Sequence, residues 1–114
     1  MPSGVAAAAF NDPLQAAVSP PSGSHSGSFP ITSAVYACVA IGGVPPLSYS
    51  WSRISTSVPG SSFEIESPNS QNTLFRMLGF GPGLQCIDVY ECTVTDQRGD
   101  EAKATCEVTW NNTG

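Results

Sequence analysis

Charge is scarce in this 114-residue chain: only 11% of its residues are Asp, Glu, Lys or Arg, against about a quarter in an ordinary soluble domain. The four basic residues, Arg53, Arg76, Arg98 and Lys103, are scattered along it. A surface that tracks nucleic-acid phosphates needs clustered cations, so nucleic acid is disfavoured as a partner, and an anionic membrane surface with it. Long apolar runs are missing too, with nothing near the roughly 18 consecutive apolar residues of a membrane span. Histidine occurs once, at His25 in a Ser/Gly/Pro stretch, where a general base would have neither fixed geometry nor a nucleophile within reach. The glycines of "GFGPG" are interrupted by proline and lead into no helix, so they make no phosphate loop. Cys86, Cys92 and Cys106 stand six and fourteen residues apart, without the short paired spacing of a zinc site. The expectation is a non-enzyme with no catalytic residues, metal or cofactor.

An export signal is absent from the start of the chain. "MPSGVAAAAFNDPLQAAVSP" has neither the basic first part nor the long apolar second part of a secretory leader, which predicts a full-length product that keeps this segment. Residues 1–28 differ in composition from the rest. Val5, Phe10, Leu14 and Val18 are apolar points on an Ala-rich stretch, and "SPPSGSHSGS" (19–28) follows with no apolar residue to place in a core. They are predicted to form an N-terminal arm and a flexible linker, the arm ordering when it docks on a partner.

What is abundant is alternation between turn signals. In "LSYSWSRIS" (47–55), Leu47, Tyr49 and Trp51 alternate with serines, giving one buried and one wet face. "FPITSAVYACVAI", "FEIE", "NTLFRML", "CIDVYECTVTD" and "EAKATCEVTW" read likewise, separated by Gly/Pro/Ser clusters. In the last run Ala102, Ala104, Cys106, Val108 and Trp110 share a face. About seven short strands in some 80 residues predict an all-β, two-sheet antiparallel sandwich over residues 29–110, with 111–114 as a C-terminal tail. Glu64 and Glu66 lie on one strand face, where a solvated surface explains them better than catalysis.

Cys38 on the second predicted strand, Trp51 thirteen residues on, and Cys92 with Tyr90 two residues before it resemble an immunoglobulin-like domain. The resemblance spans 29–110. It implies that Cys38 and Cys92 face each other across the sheets as a candidate disulfide, with Trp51 packed on them and Tyr90 and Cys106 in the core. Such a bridge would close about 55 residues and stabilise by about 3–4 kcal/mol. Taken alone, four cysteines allow three pairings, and reduced thiols are the simpler expectation without export. Where the family has an Asp six residues before the second Cys, this chain has Cys86, and Asp88 stands four before. "YECTVTDQRGDEAKATCEV" also resembles the last hairpin of polycystic-kidney-disease-type and bacterial immunoglobulin-like repeats, modules found in surface proteins and in bacteriophage tail and capsid proteins.

That resemblance implies a structural protein of the virion surface: a bacteriophage capsid decoration or tail-surface protein, multimeric on a symmetric lattice of capsid or tail proteins and held by its arm. The alternative is an extracellular or cell-surface adhesion module binding a glycan or protein through its loops. Arg98-Gly99-Asp100 bears on that choice, since adhesion ligands, fibronectin type III domains among them, present this tripeptide in the same hairpin. A tight turn between the last two strands needs glycine at positive φ, which accounts for Gly99 without a receptor. The turn is the preferred reading of those three residues.

Overall fold

The computed structural model describes residues 13–114. Among them the chain is all-β, with ten strand segments: β1 (Gln15–Ser19), β2 (Ser22–Gly27), β3 (Ile31–Thr32), β4 (Tyr36–Ile41), β5 (Ser48–Thr56), β6 (Ser62–Ile65), β7 (Asn72–Thr73), β8 (Phe75–Gly79), β9 (Gln85–Thr95) and β10 (Glu101–Asn112). One sheet has the order β2-β10-β9-β5, and two three-stranded sheets have the orders β1-β4-β7 and β3-β8-β6. Because β3 leads into β4 and β7 into β8, the two small sheets follow one another along the chain, and the whole is sandwich-like.

Period-two patterning builds the longest strands. Along β9 the side chains of Cys86, Asp88, Tyr90, Cys92 and Val94 are buried on one face, while the residues between them are half-buried. β10 pairs with β9 antiparallel from Glu101↔Thr95 to Asn111↔Gln85 and buries Cys106, Val108 and Trp110 on the same side. The core they form contains Cys38, Trp51, Tyr90, Cys92 and Cys106, together with Tyr36, Phe75 and Met77. Phe75 is its centre. Its ring stacks on Tyr90 with centroids 3.9 Å apart and planes 8° from parallel, and Trp51 meets it edge-on at 5.7 Å.

The runs "FPITSAVYACVAI" and "NTLFRML" each divide in two at the same place. The Ser33 hydroxyl accepts the Phe75 N–H (2.9 Å), and the Ser33 N–H donates to the Phe75 carbonyl (2.8 Å). A side-chain oxygen there takes a place that a ladder carbonyl would fill, so the strands change partners.

The N-terminal expectations need correction. Residues 19–28 are not a flexible linker, and no boundary falls at residue 28. β1 pairs antiparallel with β4, from Gln15↔Ile41 to Ser19↔Ala37, and β2 pairs parallel with β10, from Glu107↔Ser22 to Asn112↔Gly27. The sandwich is therefore not wholly antiparallel. Nor is 111–114 simply a tail, since Asn111 and Asn112 complete β10. Of the four arm residues, Val18 is buried in the core, Leu14 packs partly buried against it, and Val5 and Phe10 lie outside the described residues. The physical reason is that "SGSHSG" needs no apolar side chains to be held, because the edge of β10 offers it a row of backbone donors and acceptors. Its smallness is a requirement at one point. A Cβ on Gly23 would run into the Tyr36 hydroxyl, so the backbone of β2 lies directly over that ring.

A linker would tolerate any residue at position 23, whereas this packing does not. Gly23→Ala is expected to lower stability by about 1–3 kcal/mol, as overpacking of a filled interior does. Chemical denaturation checks it, and an unchanged midpoint would return β2 to the status of a linker.

Candidate functional site

Three places carry the side chains with chemistry: a buried carboxylate, the turn after β9, and the outer face of β1 and β4. The first is Asp88, fully buried in the middle of β9. Its Oδ2 accepts the Tyr90 hydroxyl at 3.0 Å and the Trp110 indole N–H at 3.1 Å, and its Oδ1 accepts the Cys86 thiol at 3.4 Å. Arg53 from β5 completes the set, with Nη1 3.6 Å from Oδ2. The same guanidinium donates to the Ser61 hydroxyl (2.7 Å) and lies 4.0 Å from the Phe63 ring centroid. Burial, then the neighbouring Asp88 charge, pushes the Tyr90 hydroxyl far up, so it remains a hydrogen donor throughout the physiological range. Both carboxylate oxygens are spent on the scaffold, and no side of Asp88 faces solvent.

The turn is built the same way. Asp96 is buried although its neighbours 97–100 are exposed. Its Oδ1 accepts the backbone N–H groups of Arg98 (2.9 Å) and Asp100 (3.0 Å), and its Oδ2 accepts that of Val44 (3.0 Å) and the Arg98 Nε–H (3.1 Å). Desolvation alone would raise its pKa. The N–H groups of Val44 and Asp100 and the Arg98 guanidinium outweigh that and hold the carboxyl below its usual range. Its contribution to stability is thus present above about pH 3.8 and is lost as the pH falls through the lower folded value. Arg98 Nη2 also contacts Asp96 Oδ2 (3.0 Å) and Asp100 Oδ2 (3.2 Å), and Gly99 has φ +88°. Within Arg98-Gly99-Asp100, then, the cation folds back on two carboxylates of its own turn, and the glycine supplies the left-handed backbone.

The four cysteines are buried free thiols. Cys38 and Cys92 neighbour each other across the layers, Cys38 from β4 and Cys92 from β9. Burial pushes the Cys38 thiol up, with Cys92 beside it pulling weakly the other way. Burial likewise pushes Cys92 and Cys106 up to about 12. Thiolate is the reactive form, so burial disfavours the reactive form of Cys38, Cys92 and Cys106. A Cys86–Cys106 bridge is ruled out by register: Cys86 pairs with Trp110 and Cys106 with Tyr90, which separates them by about 13 Å along the strands.

Glu64 and Glu66 are exposed and both bind Arg76, at 2.8 and 2.9 Å. No group of three or more His, Cys, Asp or Glu side chains among the described residues is arranged to hold a metal ion, and no helix there is long and apolar enough to cross a membrane. His25 sits on β2 with Nε2 hydrogen-bonded to the Tyr36 hydroxyl (2.9 Å) and its ring 5.6 Å from that of Trp110. It links the strand at one edge of the large sheet to β4 in the other layer.

The third place differs from the other two in presenting apolar rather than charged side chains to solvent. Ala17, Val39 and Ile41 point outward from β1 and β4, and with Gln15 and Ala16 they line a shallow groove of about 80 Å³. No charged residue lies on either strand. Sequence reading passed over this face and over the Arg53–Asp88 pair. The signal for the face was present: "YACVAI" is apolar at every position, so whichever side turns inward leaves an apolar side facing out.

A scan against protein-family models finds no match, and a search of curated proteins finds none either.

Two measurements test the polar groups. Asp88→Ala leaves a tyrosine hydroxyl, an indole N–H and a guanidinium without their acceptor, and is expected to cost about 3–5 kcal/mol in denaturant unfolding; a cost under about 1 kcal/mol would show that the network does not hold the sheets together. Burial lowers the pKa of His25 from 6.5, so the fold favours the neutral ring. Its contribution is complete above pH 6.5 and is lost as the pH falls below that, levelling off below the folded value. The wild type should therefore lose stability between pH 7 and 5, and His25→Gln should flatten that part of the profile.

Proposed function

We propose that this chain is a non-enzymatic, immunoglobulin-like structural module of a virion surface, a capsid decoration or tail-surface protein of a bacteriophage, anchored by the uncharged face of β1 and β4. The observation that carries the reading is that face. In a chain of net charge −5, two adjacent strands present Ala17, Val39 and Ile41 to solvent and no charge at all. Exposed apolar side chains gathered on one uncharged surface mark an interaction site. The buried charged and thiol groups described above are all engaged inside the scaffold, which supports a part that binds and assembles rather than one that performs chemistry.

The immunoglobulin-like assignment is supported by Trp51, which pairs with Cys92 in the sheet register and packs in one core cluster with Cys38 and Tyr90. The virion setting comes from resemblance of the last hairpin to modules carried by phage proteins, a fold-level analogy. On a symmetric lattice, many identical small contacts add up to firm attachment. The adhesion alternative would use Arg98, Gly99 and Asp100, and the bracing of Arg98 by Asp96 and Asp100 weighs against it.

Co-sedimentation of the purified protein with particles of its source tests the proposal. The wild type should bind, and the double variant Val39→Asp/Ile41→Asp should bind at least about tenfold more weakly with its melting temperature nearly unchanged, since both side chains already face water. A wild type that stays in the supernatant, or a double variant that binds normally, would overturn it.

A further inference from the structure

We infer that the outer edge of β2 is a pairing edge for a second copy of this chain, two β2 strands meeting antiparallel across a twofold axis at Ser24 so that their two sheets become one. Only the use of such a pair on a lattice depends on the proposed function.

β2 stands at the end of its sheet, with β10 on one side and, among the described residues, no strand on the other. The bonds it makes show which backbone groups face outward. The carbonyls of Pro21 and Gly27 accept the N–H groups of Glu107 and Thr113, so the odd-numbered residues face β10. Successive residues of a strand turn their N–H and C=O groups to opposite edges, which leaves those of Ser22, Ser24 and Ser26 aimed at the open side. A row of this kind is a template for another strand.

Edges are ordinarily guarded by charge, shortness, a bulge or a covering loop. The other end of the same sheet has three such guards: β5 carries Arg53, shifts register beside it, and donates its Trp51 N–H to the Pro68 carbonyl of a covering loop. β6 carries Glu64, β3 and β7 are two residues long, and β1 lies against β10. β2 has none of these. Its sequence, "SGSHSG", holds no proline and no Asp, Glu, Lys or Arg, its His25 ring turns inward to Tyr36, and its register with β10 runs without a shift.

Size, symmetry and charge fit a second copy. With serines on the outer face and glycine at 23 and 27, a strand about 4.8 Å away meets no bulky side chain. Pro20 and Pro21 before the strand and Pro30 after it confine pairing to β2 itself. The antiparallel register Ser22↔Ser26, Ser24↔Ser24 and Ser26↔Ser22 lets every outward N–H and C=O find a partner, and a slip by two residues loses one of those pairs. Copies of net charge −5 repel, and this edge keeps their charges apart. Of the β10 residues beside β2 only Glu107 is charged, next to Ser22. In this register the two Glu107 side chains stand on the order of 20 Å apart, beyond the screening length of about 8 Å at physiological salt. A twofold contact closes on itself, leaving the guarded β5 edges outermost. About 20 Å of strand edge buries much less than the roughly 800 Å² per partner of a stable complex. Free copies therefore pair weakly, with a dissociation constant on the order of 0.1–1 mM, and copies held side by side on a lattice pair firmly.

Sedimentation and amide–water exchange by nuclear magnetic resonance test this on the full chain in solution, at about 20 µM and about 2 mM. The sedimentation coefficient should rise with concentration toward that of a dimer. Exchange at Ser22, Ser24 and Ser26 should slow about threefold or more, while the Gly23 and His25 amides, already facing β10, stay protected throughout. Ser24→Pro removes an outward N–H and none that faces β10, and Ser24→Lys sets two cations opposite each other. Both variants should stay monomeric at the higher concentration, with protected Gly23 and His25 amides showing that β2 is still in place. A wild type that is monomeric at both concentrations, or variants that dimerise as it does, would overturn the inference. Protection of the three serine amides that does not change with concentration would overturn it too, by showing the edge closed within one chain.

Discussion

A carboxylate removed from water is tolerable only if every lone pair is answered, and much of this molecule is arranged around that constraint at Asp88. Its partners come from β5, β9 and β10, so the requirement to satisfy one charge fixes the relative register of three neighbouring strands. Arg53 extends the constraint across the layers, because the guanidinium that faces Asp88 also donates to Ser61 and lies over Phe63 of β6. An ion pair of this kind is a poor source of net stability compared with apolar packing of the same volume. What it supplies is intolerance of alternatives: slipping β5 by one residue would turn Arg53 outward and leave Asp88 buried without its countercharge.

The apolar core obeys a looser rule. Phe75, Tyr90, Trp51 and Tyr36 form a continuous set of ring contacts between the sheets; Tyr90 is tied to Asp88, and two more of the rings reach segments at the margin through polar handles. The Trp51 indole N–H donates to the Ser70 carbonyl at 2.8 Å, which holds the 67–71 loop against the open edge of β5. The Tyr36 hydroxyl meets His25 and lies over Gly23, which holds β2. In both cases an aromatic body fills the interior while its polar tip ties down an otherwise weakly held segment at the margin. The domain closes its edges with little apolar surface of its own to spare.

These constraints bear on function through what they leave over. Asp88, Asp96, Arg53 and the thiols are committed to the scaffold, and Arg98 is tied to its own turn. Glu64, Glu66 and Arg76 neutralise one another on a solvated strand face, a surface arrangement of small energetic weight. The uncharged outer side of β1 and β4 is a surface left over in this way, and the attachment proposal rests on it.

How far the sequence alone reaches can be judged from particular residues. Alternation in 47–55, 86–96 and 101–110 determined an all-β chain and which side of each long strand faces inward, because a period of two is a local property that burial must respect. The same logic identified the turn glycine at Gly99, where backbone geometry alone demands positive φ. It failed at 19–28, because β2 carries almost no apolar signal and owes its existence to unpaired backbone groups on β10, more than eighty residues away in sequence. It was silent on the partner of Asp88, since Arg53 and Asp88 are brought together only by the pairing of β5 with β9. And it could not say whether Arg98 is offered to a receptor or folded onto Asp96. Local pattern decides secondary structure and facing, while long-range pairing decides which charges meet, which edges are covered and which apolar surface remains in the open.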